Sequence, residues 1–228
     1  MKRSEIVGIP VTAATRTRAT RRCCRGAHAR LILAPGAGTS RASRWMRALA
    51  GAVARQNIEV WTFDFLRVER RHNRQIRKAT WQAVLRHVRE VEPDLPIYIG
   101  GKSRGGHVAT EVAAEFSQED GGAVKGLVLL TYPFHAREKY GEYRKDHFGE
   151  IDKPILFVQG ALDAWGRGSE LVERRNHYAD KPWVLRILPD ANHWLAVDGS
   201  KELPPETCEN VAGTVANFIC VQHDPAVA

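Results

Sequence analysis

Three residues of this 228-residue chain have types that can together cut an acyl bond: Ser103, Asp163 and His193. A serine hydroxyl is a weak nucleophile until a neighbouring base takes its proton, and imidazole is the side chain that titrates near neutrality. A carboxylate then fixes the imidazole tautomer and stabilises the imidazolium. Ser103 lies in Gly101-Lys102-Ser103-Arg104-Gly105, a Gly-x-Ser-x-Gly run. Pro96–Ile99 before it reads as a buried strand, and Val108, Val112 and Phe116 after it fall at helical spacing. A serine on a sharp strand-to-helix turn has its Oγ exposed, and glycines stand two residues to either side where a Cβ would collide with the crossing strand and helix. Asp163 follows the apolar run Pro154–Gln159, and His193 follows Trp183–Leu188. The order nucleophile, acid, base differs from the two common protease orders. In an open parallel sheet reactive groups collect at the carboxyl ends of the strands, and all three candidates fall there.

Each residue also has an ordinary reading. Ser103 could be a turn serine, Asp163 a cap for the helix that follows, and His193 a loop histidine, one of nine in the chain. Their joint occurrence, in order and at strand ends, favours the chemical reading. His107 is expected to pack or be solvated on the elbow helix. His28, His72, His87, His135, His147, His177 and His223 have no comparable setting. The strand Arg30–Ala34 breaks at Pro35-Gly36-Ala37-Gly38, where small residues let backbone N–H groups approach a developing negative charge. Ala37 and Arg104, the residue after the nucleophile, are the expected oxyanion donors; a plain Gly-Pro turn is the alternative at Ala37. Trp165 and Trp194 stand beside Asp163 and His193, to line an acyl or aromatic pocket with Gly36 or to pack under the loops. Gly101-Lys102-Ser103 mimics the end of a phosphate-binding loop, but that loop needs a glycine where Pro96 stands, so the reading is rejected.

Other apolar patterns supply the frame that must position these groups. Gly126–Thr131 is a continuous apolar strand, as in a sheet covered on both faces. Trp45, Met46, Leu49 and Val53 mark one helix, Trp81, Val84, Leu85, Val88 and Val91 a second, and Val211, Val215, Phe218 and Ile219 a C-terminal one. Strands alternating with helices imply an α/β three-layer sandwich with a mostly parallel sheet. Pro133–Asp152 is rich in His, Arg, Glu, Lys and Tyr, too short and polar for an apolar helical cap, so a minimal lid is expected. Residues 1–28 read as an N-terminal strand (Glu5–Val11) plus an exposed basic loop, 29–221 as the domain and 222–228 as a tail.

The segments "LILAPGAGTS" (31–40), "IYIGGKSRGG" (97–106), "TYPFH" (131–135), "PILFVQGALDAWG" (154–166) and "LPDANHWL" (188–195) together resemble the α/β-hydrolase superfamily, in particular its small dienelactone-hydrolase-like branch of KANL/Tex type. The resemblance covers residues 29–220. It implies the α/β-hydrolase fold, with Ser103 as nucleophile, Asp163 as acid and His193 as base. It names no substrate, and some relatives are non-catalytic subunits of nuclear complexes. The chain departs from the branch at Pro35, usually His, at Arg104, usually Met, and at Asp163-Ala164-Trp165-Gly166, usually Asp-Pro-Phe-Gly. The resulting expectation is a serine hydrolase acting on a small soluble ester, lactone or thioester through an acyl-enzyme. The alternative is a weak or inactive hydrolase-like interaction module with a basic surface.

Charge and cysteines bound the rest. Residues 1–78 carry 18 Lys/Arg against 4 Asp/Glu, net +14, while the remainder is net −6. Arg16, Arg18, Arg21, Arg22 and Arg25 form one cluster, and Arg67, Arg70, Arg71, Arg74, Arg77 and Lys78 another. An anionic partner is one reading of such asymmetry. A solvated basic face is favoured, because no aromatic interleaving or nucleic-acid fold accompanies the arginines, and nucleic acid is not an expected partner. The Arg- and Thr-rich start has Glu5 as its only acid before Glu59, superficially like a transit peptide, but Glu5–Val11 looks like part of the folded body. The four cysteines make neither a disulfide framework nor a metal site, since adjacent Cys23 and Cys24 cannot chelate like Cys-x-x-Cys. No metal or cofactor is expected, and a reduced, cytoplasmic setting fits best. No apolar run approaches the ~18 residues of a membrane span.

Overall fold

The computed structural model describes residues 3–66, 73–115, 123–144 and 147–223. Eight strands form one sheet: β1 (Arg3–Pro10), β2 (Arg16–Cys23), β3 (Ala29–Ala34), β4 (Ile58–Phe63), β5 (Ile97–Lys102), β6 (Val124–Leu130), β7 (Ile155–Gly160) and β8 (Trp183–Leu188). Their spatial order is β1-β2-β4-β3-β5-β6-β7-β8. The first two pairings are antiparallel, and every pairing from β4 to β8 is parallel. β3, β4, β5 and β7 are buried at every position, as strands covered on both faces must be.

Helices α1 (Arg44–Ala54) and α5 (Pro205–His223) cover one face. α2 (Asn73–Val91), α3 (Arg104–Ala113) and α4 (Gly168–His177) cover the other. The apolar residues sort accordingly: Leu49, Val53, Val211 and Phe218 share a core with Leu31 and Val158, while Trp81, Val84, Val108 and Leu171 share one with Ile32, Ile99 and Phe157. α1 starts where Ser43 caps it, its Oγ accepting from the Met46 N–H. The three-layer sandwich therefore stands as the sequence implies. Between β6 and β7 the described residues hold one short 3-10 turn, Phe148–Glu150, so the lid is minimal.

One expectation is corrected. Residues 16–25 were expected as an exposed basic loop, yet most of them form β2, paired with both β1 and β4. The reason is alternation: Thr17 and Ala19 are buried while Arg16 and Arg18 face water. The basic residues of the first part of the chain are also partly internal. Arg30 is wholly buried; its Nε donates to Glu59 Oε1 at 3.0 Å and its Nη1 to the carbonyls of Val88 and Glu92. Arg21 Nη2 and Trp61 Nε1 donate to the same carboxylate at 2.7 and 2.8 Å. Arg74 pairs with Glu111 and Lys78 with Glu115. Arg67, Arg70 and Arg71 lie outside the described residues, as does Phe116.

Glu59 thus compensates a cation that cannot reach water. Glu59→Ala is expected to cost about 3 kcal/mol in chemical denaturation, the lower end for a broken buried pair because Glu92 and two carbonyls still hold Arg30. A loss below about 0.5 kcal/mol would show that the network is not part of the stability of the sheet.

Candidate active site

β5 delivers Ser103 to the carboxyl edge of the sheet, and α3 begins at the next residue. Ser103 has φ 51° and ψ −121°, a left-handed conformation that costs a non-glycine residue roughly 1–3 kcal/mol. Neighbouring backbone holds it there: the Ser103 N–H donates to the Leu130 carbonyl, and the His107 N–H donates to the Ser103 carbonyl. The glycines are needed for close approach. A Cβ on Gly101 would sit 2.5 Å from the Ala34 carbonyl oxygen, and one on Gly105 would strike the same carbonyl.

Asp163 lies in the turn after β7 and is fully buried. Its Oδ2 accepts from Gln159 Nε2 at 3.0 Å, and its Oδ1 accepts from the Trp165 N–H at 2.8 Å. Gln159 is fixed in turn, accepting from the Tyr132 N–H and donating to the Gly166 carbonyl. His193 sits in the loop after β8, 6% exposed, with Nδ1 at 2.7 Å from Asp163 Oδ2. Asn192 braces that loop: its Oδ1 accepts from the Trp194 and Ala196 N–H groups, and its Nδ2 donates to the Ser200 carbonyl. Asp163 and His193 are therefore brought together, and Nε2 is the imidazole nitrogen left without a hydrogen bond among the described residues. The Ser103 side chain makes no capping hydrogen bond to α3.

Gly36 is buried against Ser103, its would-be Cβ 3.6 Å from Ser103 Cβ. Neither the Ala37 nor the Arg104 N–H has a hydrogen-bond partner among the described residues, and both side chains are exposed. Trp165 lies against the imidazole at 4.4 Å between ring centroids, with Trp194 edge-on to both rings. Trp194 also walls a cavity of about 770 Å³ between α1 and the start of α5, whose floor includes Lys102. A second cavity of about 640 Å³ lies at the other end of the sheet, by Pro93, Pro96 and Lys125. His107 is placed as expected, its ring stacked on Tyr132. Among the described residues no group of three or more His, Cys, Asp or Glu could hold a metal ion, and no described helix is long and apolar enough to cross a membrane.

A family model described as an alpha/beta hydrolase domain matches residues 27–220. The chain belongs to the α/β-hydrolase family. Solved structures of the same fold include a dienelactone hydrolase from Anabaena variabilis, 18% identical over 96% of this chain and 97% of that one, with a TM-score of 0.72. An esterase from Pyrococcus furiosus is 17% identical over 96% and 92%, with a TM-score of 0.74. An α/β serine hydrolase without a lid from Xanthomonas campestris is 15% identical over 94% and 92%, with a TM-score of 0.67.

Sequence reasoning missed two side chains of this α/β-hydrolase site. Gln159 was read only as the end of a strand, and Lys102 only as part of a false phosphate-loop signature. Neither is a fixed position of the Gly-x-Ser-x-Gly run or of any other signature of the fold, because their roles depend on which loops pass over them. Burial holds His193 below the usual imidazole value, the nearby Lys102 charge adds to that, and the Asp163 hydrogen bond and charge oppose it. The imidazole of this hydrolase therefore rests neutral at pH 7. Its NMR titration is expected to have a midpoint below about 6.5; a midpoint above that value would show that the Asp163 contact outweighs burial.

Proposed function

We propose that this α/β-hydrolase is a serine hydrolase that cleaves small soluble esters, lactones or thioesters. The observation that carries the reading is the buried 2.7 Å Asp163–His193 pair at the strand edge that also carries the left-handed Ser103. Asp163 holds the Nδ1–H tautomer, so Nε2 is the atom that accepts the Ser103 proton as Oγ attacks the acyl carbon. The oxyanion is received by the N–H groups of Ala37 and Arg104. His193 then protonates the leaving alcohol or thiol, and water repeats the sequence to release the acid. Gly36, Trp165 and Trp194 wall the acyl pocket. The short polar connection Pro133–Asp152 favours small soluble substrates over long acyl chains, and the esterase and dienelactone hydrolase among proteins of similar fold favour an ester or lactone.

Short p-nitrophenyl esters test this directly. Ser103→Ala is expected to lower kcat by about 10⁴-fold or more, as are Asp163→Ala and His193→Ala, with double variants little worse than single ones. Equal rates from the parent and Ser103→Ala would leave the interaction-module reading instead.

Arg104 refines the substrate class. It is exposed at the first position of α3, and among the described residues no carboxylate pairs with it. Glu111, the nearest carboxylate to it in sequence, is engaged by Arg74. Arg77 adds a second positive charge close to it. A guanidinium so placed suits a substrate carboxylate, which it can hold in bidentate fashion. Arg104→Met keeps the backbone donor and removes the charge. It is expected to lower kcat/KM for carboxylate-bearing esters about 10–100-fold relative to neutral ones; equal losses on both would remove the anchor role.

A further inference from the structure

The least expected group beside the site is a lysine. Lys102 ends β5, one residue before the nucleophile, and is 5% exposed. An ammonium taken out of water is costly unless it is compensated. Among the described residues no carboxylate is in hydrogen-bond contact with it. Its Nζ instead donates to the His193 carbonyl at 3.1 Å. It also lies 5.3 Å from the centre of the Trp45 ring and 5.4 Å from that of Trp194. Two aromatic faces and one carbonyl are the cradle of a retained cation. The Trp45 Nε1–H donates to the Trp194 carbonyl at 3.1 Å, so the same cradle ties α1 to the histidine loop.

We propose that Lys102 is a positioning residue for the base: its buried ammonium fixes where His193 sits and which protonation state it rests in. This rests on the reading of His193 as general base. One side chain then joins the strand that carries the nucleophile to the loop that carries the base. The charge acts through space as well as through the hydrogen bond, because an imidazolium beside a fixed ammonium is disfavoured. Charged groups around the pair come from every neighbouring element. Asp163, from the loop after β7, attracts both. Arg137 lies 5.6 Å from the centre of the Trp165 ring and Lys201 5.6 Å from that of Trp194, and both side chains are exposed. At the rim of the cavity above Lys102 stand Arg47 and Asp198, and the pairs Arg44–Glu202 and Arg55–Glu209. Those groups are nearer to solvent and are screened, so the ammonium in the cradle is the cation that acts on the imidazole.

Burial lowers the Lys102 ammonium to about 8, against the attraction of Asp163, so the group can be titrated within the stable range of most proteins. The test follows the His193 ring by NMR in the full chain without substrate, alongside pH profiles of kcat/KM on p-nitrophenyl acetate. In the parent protein the ring signals should show a second inflection near pH 8, where Lys102 loses its proton. Lys102→Met and Lys102→Gln should both move the His193 midpoint upward, and the acid limb of kcat/KM should move with it. The plateau should fall about 10–100-fold for Lys102→Met, the scale of a small misplacement of a catalytic group. Lys102→Arg, which keeps charge and donor, should restore the parent midpoint. An unmoved midpoint in folded Met and Gln variants would overturn the proposal. If neither variant folds, a parent ring that shows no second inflection overturns it. Because the titration needs no substrate, a chain that hydrolyses no ester fails the serine-hydrolase reading alone, while an unmoved ring fails this one.

Discussion

At the point where β5 ends, its backbone runs so close to the end of β3 that neither Gly101 nor Gly105 has room for a Cβ beside the Ala34 carbonyl. That approach is what the carboxyl edge of the sheet depends on. With both flanking positions reduced to backbone, the chain can leave β5 and enter α3 in a single residue. The residue in between is then driven into the left-handed region. The same closeness brings the loop after β3 to the end of β5, with Gly36 against Ser103. Ser103 and the N–H groups of Ala37 and Arg104 are thus set by one backbone contact, which requires β3 and β5 to be parallel neighbours.

Buried charge is treated differently at the two ends of the sheet. Near the amino ends of β3 and β4, Arg30 meets Glu59 and two carbonyls, so its charge is neutralised by permanent partners. Such a pair holds geometry, the guanidinium presenting its donors in a fixed fork. Near the carboxyl end, Lys102 is held by a carbonyl and two rings. Its proton can be lost at about 8, and His193 beside it sits below its ordinary value. Full compensation suits a structural pair, and partial compensation suits groups that must respond to a change of charge. The division matches the general placement of chemistry at the carboxyl ends of parallel strands.

The parts of this arrangement legible in the sequence are those where local chemistry leaves one solution. Gly-x-Ser-x-Gly between an apolar strand and a helical pattern fixes the elbow, and continuous apolar runs identify β3, β5, β6 and β7. β2 was hidden because its outward positions are arginines, which read as a solvated loop unless the alternation of Thr17 and Ala19 is counted. β4 (Ile58–Phe63) was not singled out, since Glu59 interrupts its apolar run; only the fold shows that Arg30 and Arg21 lie opposite it. Gln159 and Lys102 were illegible for a related reason. Each looks like an ordinary strand residue until loops more than twenty residues away in sequence, or brought over by another strand, supply its partners.

The departures of this chain from its branch fall where they alter the walls of the site and leave its polar contacts in place. Asp163 takes its second hydrogen bond from the backbone N–H of residue 165, which is present whatever side chain stands there. Tryptophan at that position adds a broad ring against the imidazole at 4.4 Å, so the substitution changes the surface beside His193 and not the support of Asp163. Arg104 likewise keeps a backbone N–H at the start of α3 while its side chain reaches solvent. Pro35 is buried before Gly36, and having no N–H it removes a possible donor one residue ahead of the loop that approaches Ser103. Supports made by backbone groups are indifferent to side-chain identity, so a family can vary the residues around a nucleophile and its base without disturbing either. On the function proposed above, specificity in this chain belongs to the rings of Trp165 and Trp194 and to the guanidinium of Arg104, and the contacts that place Asp163 and Ser103 belong to the fold.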